Sequence, residues 1–156
     1  MRWLLENGAD PTHGEPRWNE NNPEDDRNAG AALNSAASAG TIAVFNLLLQ
    51  SGARIETSVP LHMAAGNATA DVNWIPMMTH LLEVGLDING LDDIQGPYRL
   101  GTPLHHAVRN RAVEAARFLL ERGADPHKKN LWGYTSAEEA MQTSNTELIK
   151  MFEATK

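Results

Sequence analysis

Four times along this chain a pair of leucines is followed, three residues after its second member, by a glycine. The copies are WLLENGAD (3–10), LLLQSGAR (47–54), HLLEVGLD (80–87) and FLLERGAD (118–125). The pattern reads as a helix ending: the leucines are the last core-facing residues, and glycine accepts the left-handed conformation that satisfies the final carbonyls. An ending repeated at intervals of tens of residues predicts a stack of small units rather than one large core.

A second pattern precedes three of those endings, as AALNSAA from residue 31, VPLHMAA from 59 and TPLHHAV from 102, with a degenerate copy, TSAEEA, from 135. In the best copy Thr102 is a helix N-cap, Pro103 suits the first helical position, and His105 stands where a polar side chain reaches back to the cap. Leu104, Ala107 and Val108 supply the apolar stripe. Each unit therefore reads as a short helix, a turn, a second helix, a glycine stop and an extended, hairpin-like loop. The stretch GTPLHHAVRNRAVEAARFLLERGADPHKKN (101–130) resembles the ankyrin repeat nearly throughout, from its Thr-Pro-Leu-His opening to its Gly-Ala-Asp close. Thr102 and Thr135 lie 33 residues apart, the ankyrin period. Other intervals depart from it only in connections: the hairpin loops vary, and one inter-helix turn is swollen by five residues around GNATADVNW (66–74).

The resemblance implies an all-α solenoid of stacked helix-turn-helix units. Its expected divisions are a partial repeat with a long acidic loop (1–30), repeats at 31–58, 59–101 and 102–134, and a capping repeat at 135–156. The first unit is a second helix without its first, with Trp3, Leu4 and Leu5 in core register. This suits either a truncated array or a following loop that folds back as cover. The stretch NENNPEDD within that loop lacks the alternating ligands and central glycine of a calcium loop and reads as solvated.

Composition narrows the function. A formal net charge of −7 argues against nucleic acid. Without cysteine there are no disulfides or thiolate metal sites, which fits an intracellular location, cytoplasmic or nuclear. The N-terminus has no signal-peptide run and no stretch reaches transmembrane length, so no membrane partner is expected. The sequon Asn67-Ala68-Thr69 then has no functional weight.

No catalytic signature emerges: there is no phosphate-cradling loop, dinucleotide fingerprint or nucleophile elbow. Neighbours on a helix diverge by about 100°, so His105 and His106 do not share a metal ion. His62 and His105 are expected at cap-supporting positions, His80 partly buried, His13 and His127 in solvent, and His106 exposed on the inner helical layer. Asp92-Asp93 and Glu138-Glu139 do not establish opposed acid and base, and Glu138-Glu139 reads as a solvated cap. No cofactor, metal site or catalytic residue is expected.

Ankyrin repeats typically bind proteins through hairpin tips and the concave surface of the inner helices, and that expectation carries over by register. It implies a monomeric protein-interaction module contacting a partner through Trp132 and Tyr134 in the last junction, Tyr98 and Arg99 in the loop 91–101, Arg109 and Asn110 at the end of a first helix, Arg122 before a stop glycine, and His106. Arg99, Arg109 and Arg122 suit either a basic patch or ordinary solvated charge. Trp74 suits either a core role or a contact, and Trp18 is equally open. Asn89 sits in a context resembling that of ankyrin asparagines that become hydroxylated, although a plain loop asparagine explains it better. The competing reading is an unconventional enzyme or small-molecule binder, which would need a pocket enclosed by Tyr98 and Trp132 with converging acids.

Overall fold

A computed structural model of the chain describes residues 2–11, 30–68, 74–92 and 101–154. Its helices are α1 (Arg2–Glu6), α2 (Ala31–Ser38), α3 (Ile42–Gln50), α4 (Pro60–Gly66), α5 (Ile75–Glu83), α6 (Pro103–Arg109), α7 (Val113–Glu121), α8 (Ser136–Gln142) and α9 (Thr146–Glu153). Among the described residues there are no strands, and one antiparallel bridge joins Lys129 to Thr135 across a hairpin tip. From α2 onward the helices form four pairs. The first members, α2, α4, α6 and α8, pack on one another in chain order as an inner layer. No described helix is long and apolar enough to cross a membrane.

The four glycine stops are left-handed, with φ of 88° at Gly8, 97° at Gly52, 99° at Gly85 and 91° at Gly123. Each closes its helix in the same way. The glycine N–H donates to the second leucine's carbonyl and the next N–H to the first leucine's, as in Gly52 to Leu49 (3.1 Å) and Ala53 to Leu48 (3.0 Å). The repeated leucine pair thus does double duty. Its carbonyls receive the closing bonds, while Leu48, Leu81 and Leu119 are buried in one continuous core.

The first helices add Leu33, Leu61 and Leu104, all covered, with small alanines between them, and the second helices add Phe45, Met77, Met78, Phe118, Leu148 and Phe152. Trp74 belongs here too: it is buried, and its indole N–H donates to the Ser38 carbonyl at 3.0 Å. It is a core residue tying the start of α5 to the end of α2. Trp18 lies outside the described residues. In α1, Leu5 packs on the core while Trp3 and Leu4 stand exposed.

Candidate functional site

In the first three opening motifs the fourth residue ties its helix to the junction before the next repeat. Asn34 Oδ1 accepts the Val59 N–H (2.8 Å), His62 Nε2 donates to the Gly90 carbonyl (2.9 Å), and His105 Nε2 donates to the Tyr134 carbonyl (3.1 Å). A carbonyl only accepts, so both imidazoles carry their proton on Nε2. His105 Nδ1 then accepts the Thr102 N–H (3.1 Å) and completes a capping box. His62 departs from expectation. Val59 has no side-chain cap, so this histidine supports no cap and serves only the forward tie. Burial, reinforced by the neighbouring His106, lowers its pKa to about 4; burial also lowers that of His105.

The His105 tie fixes the backbone of the hairpin tip, and Asn130 fixes its loop. Buried Asn130 accepts the N–H groups of both Trp132 and Tyr134 on Oδ1 (3.0 Å each) and donates from Nδ2 to Glu139 (2.8 Å). Glu139 in turn takes Arg109 in a bidentate pair, Nε to Oε2 at 2.8 Å and Nη2 to Oε1 at 2.6 Å. The Arg109 guanidinium lies 5.3 Å from the centroid of the Trp132 ring. Two aromatic side chains, Trp132 and Tyr134, are thereby presented about half exposed, at 47% and 50%, from a backbone held at every turn. Between them and α6 and α8 lies an open hollow of about 430 Å³, floored by Val108 and edged by Gln142 and Thr143.

Beyond Arg109 the concave face continues into a second hollow of about 220 Å³, lined by His62, Met63, Gly66, Asn67, His106 and Asn110. His106 corrects an expectation. It is buried, 4% exposed, with its ring edge-on to His62 at 5.2 Å and Nε2 3.5 Å from the carboxylate of Asp92. It reaches the concave face only as the floor of this hollow, because it faces the preceding repeat. Asp92 is wholly buried.

The remaining candidates divide. Arg109 and Asn110 lie on the concave face; Arg122 does not gather with them. It closes α7 in the second layer with its guanidinium 4.7 Å over the Phe118 ring. With Arg109 neutralised by Glu139, these two arginines form no basic patch; Tyr98 and Arg99 lie outside the described residues. Glu138 is the exposed cap residue expected, its pKa lowered by hydrogen bonds from Thr135, but Glu139 is half-buried and paired rather than solvated. His80 is partly buried as expected, bonded to Asn46 at 2.7 Å, and His127 is exposed. Asn89 accepts the Asp125 N–H (2.8 Å), which accounts for it as a loop-holding residue. Sequence reasoning missed Asn130 altogether. Its signal was position: an asparagine just before a short loop with a glycine, whose side chain folds back onto later N–H groups. The hollow beside Trp132 is open rather than enclosed, and its one carboxylate, Glu139, is paired with Arg109, so nothing favours the enzyme reading.

A family profile described as ankyrin repeats, in three copies, matches residues 33–130. The chain belongs to the ankyrin-repeat family. Ankyrin repeats generally serve as non-enzymatic protein–protein interaction modules. Among relatives, the chain is 31% identical over 121 residues to Ankyrin repeat and SOCS box protein 11 of Danio rerio, covering 76% of this chain and 38% of that protein. It is 33% identical over 99 residues to Ankyrin repeat protein nuc-2 of Neurospora crassa, covering 61% of this chain and 8% of that one. A shorter match, 44% over 55 residues, is to the 2-5A-dependent ribonuclease of Mus musculus, covering 35% of this chain and 7% of the relative. The chain thus spans well under two thirds of the length of these relatives, and the ribonuclease match is confined to a partial stretch of repeats.

Proposed function

We propose that this ankyrin stack binds a partner protein along its concave face, with Trp132 and Tyr134 as the anchoring contacts. The observation that supports this most is the pairing of exposure with restraint. Two large aromatics are half exposed, yet their backbone is fixed by Asn130 and His105, and Arg109 lies over one ring. Restrained aromatic side chains lose little conformational entropy on binding and are typical interface hot spots. A standard interface buries roughly 1,600 Å² in total, so a partner segment would run from the tip across the inner helices. We take the setting to be intracellular, cytoplasmic or nuclear, with which the lack of cysteine is compatible, and the chain to bind as a monomer.

Selection of a random peptide-display library on the parent protein tests the reading. Segments enriched on the parent should bind the Trp132→Ala, Tyr134→Ala double variant at least about tenfold more weakly, the loss of one modest hot spot. Undiminished affinity for the variant would remove these two residues from the interface.

A further inference from the structure

The turn from α6 to α7 holds a conformation that its sequence does not suit. Arg111 has φ of 57°, and among the described residues it is the one non-glycine with a positive φ. The other left-handed residues, Gly8, Gly40, Gly52, Gly85, Gly123 and Gly133, are all glycines. A side chain in that region brings Cβ against the following carbonyl oxygen, and arginine lacks the short polar group with which asparagine offsets the cost.

Gly40 shows what this turn asks for, because it ends α2 as Arg111 ends α6. The Gly40 N–H donates to the Ala37 carbonyl and the Thr41 N–H to that of Ala36, both at 3.1 Å. Arg111 donates to Val108 at 3.0 Å and Ala112 to Ala107 at 2.9 Å. A Cβ placed on Gly40 meets nothing within 4 Å, so glycine stands there for its conformation and not for want of room. One turn, closed by the same two bonds, holds glycine in the first helical pair and arginine in the third.

The arginine side chain returns nothing to the fold. It is exposed, and among the described residues its guanidinium has no hydrogen-bond, ion-pair or ring partner. Arg109 and Arg117, by contrast, are taken up by Glu139 and Glu147, and Arg122 lies over Phe118. The nearest acid along the chain, Glu114, is paired with Arg117 at 3.6 Å. Arg111 thus adds an unmatched positive charge to a chain of net charge −7, in a turn that follows directly on Arg109 and Asn110 of the concave face.

From this we infer that Arg111 is a contact residue, pairing with an aspartate or glutamate of the segment that lies along the concave face. The backbone is worse for having it, its side chain is unused within the molecule, and the planar fork of a guanidinium matches a carboxylate. The inference rests on the reading above and adds a requirement on the partner: an acid at the α6–α7 turn, apart from whatever covers Trp132.

Arg111→Gly separates the two halves of the inference. Freed of its side chain, the turn takes the conformation of Gly40, and chemical denaturation should show a folding equilibrium constant about threefold above the parent's. Segments enriched on the parent from the random peptide-display library should nevertheless bind this variant about tenfold more weakly, the loss of one charge-assisted pair. Added salt should weaken them more on the parent than on the variant. Arg111→Lys keeps the charge and the backbone cost and should retain most of the affinity. Selection repeated on Arg111→Glu should replace the enriched acid by lysine or arginine, a change of sign that a merely structural role does not produce. An Arg111→Gly protein that binds the parent's segments undiminished would overturn the inference. So would one less stable than the parent, which would make the arginine part of the fold, or the same acidic residues in segments selected on parent and Arg111→Glu. Segments that need Trp132 and Tyr134 but ignore Arg111→Gly sink it and leave the aromatic anchors standing. Segments that need Arg111 but ignore the two aromatic substitutions do the reverse, and a parent that enriches no segment ends both.

Discussion

The histidines show how much one side chain does in a fold with so little tertiary reach. His62 is buried against His106 and Asp92 and donates to Gly90, and its folded pKa is lowered from 6.5 to about 4, chiefly by burial. The unfolded chain therefore binds more protons than the folded one between those values, and the contribution of neutral His62 is lost as pH falls through that window. Chemical denaturation from pH 7 to 4 should show a decline to which His62 contributes up to about 3 kcal/mol, and His62→Gln should flatten it. An unchanged pH dependence in the variant would reassign the effect. His105→Leu removes a different set of bonds, orphaning the buried Thr102 N–H and loosening the Tyr134 carbonyl, and should cost about 2–4 kcal/mol in the same measurement. The candidate site was legible at this scale only where a residue type announces itself. Trp132 and Tyr134 stood out as aromatic residues in a loop. Asn130 was missed although its bonds to Trp132 and Tyr134 reach only two and four positions along the chain, whereas Glu139 did not stand out because its pair with Arg109 spans 30 positions. His106 was misjudged for the same reason: helical periodicity gave its direction but not the neighbouring repeat that covers it.

At the scale of the helix, local sequence carried nearly everything. The leucine-glycine endings foretold four left-handed stops, and Thr-Pro-Leu-His foretold the capping box at Thr102, because both are settled within five residues of backbone. The degenerate copy behaves alike. Thr135 accepts from the Glu138 N–H while Glu138 accepts from the Thr135 N–H, so glutamate takes the capping role that His105 plays in the preceding repeat. Thr135→Ala should cost about 1 kcal/mol on unfolding. It should also raise the Glu138 pKa part of the way toward its ordinary value, read by NMR titration, since the Thr135 N–H that lowers it most is kept and only the hydroxyl is lost. Val59 shows the limit of local reading. It occupies the capping position without a hydroxyl, and its N–H is satisfied by Asn34 of the preceding repeat instead. Nothing within its own helix discloses that partner.

Over the whole molecule, the decisive property is that each helical pair touches mainly its neighbours, so stability is approximately a sum of unit and interface terms. Amide exchange should map that sum. In the parent, α4 and α6, packed on both sides, should exchange slowest, while α1, with Trp3 and Leu4 exposed, should exchange fastest. Leu104 and Phe152 are both buried, but one sits at the centre of the stack and the other in its last helix. Each alanine substitution removes a large core side chain, at roughly 2–5 kcal/mol. Leu104→Ala, however, weakens interfaces on both flanks and should lower protection from α4 through α8. Phe152→Ala should lower it in α8 and α9 and leave α2 to α5 near parental rates. A uniform loss across the chain after Phe152→Ala would mean that the array unfolds as one unit. The concave face would then be ordered or lost entire, whereas under nearest-neighbour coupling the hairpin tip at Trp132, one junction from the last helix pair, loosens before the hollow between α4 and α6.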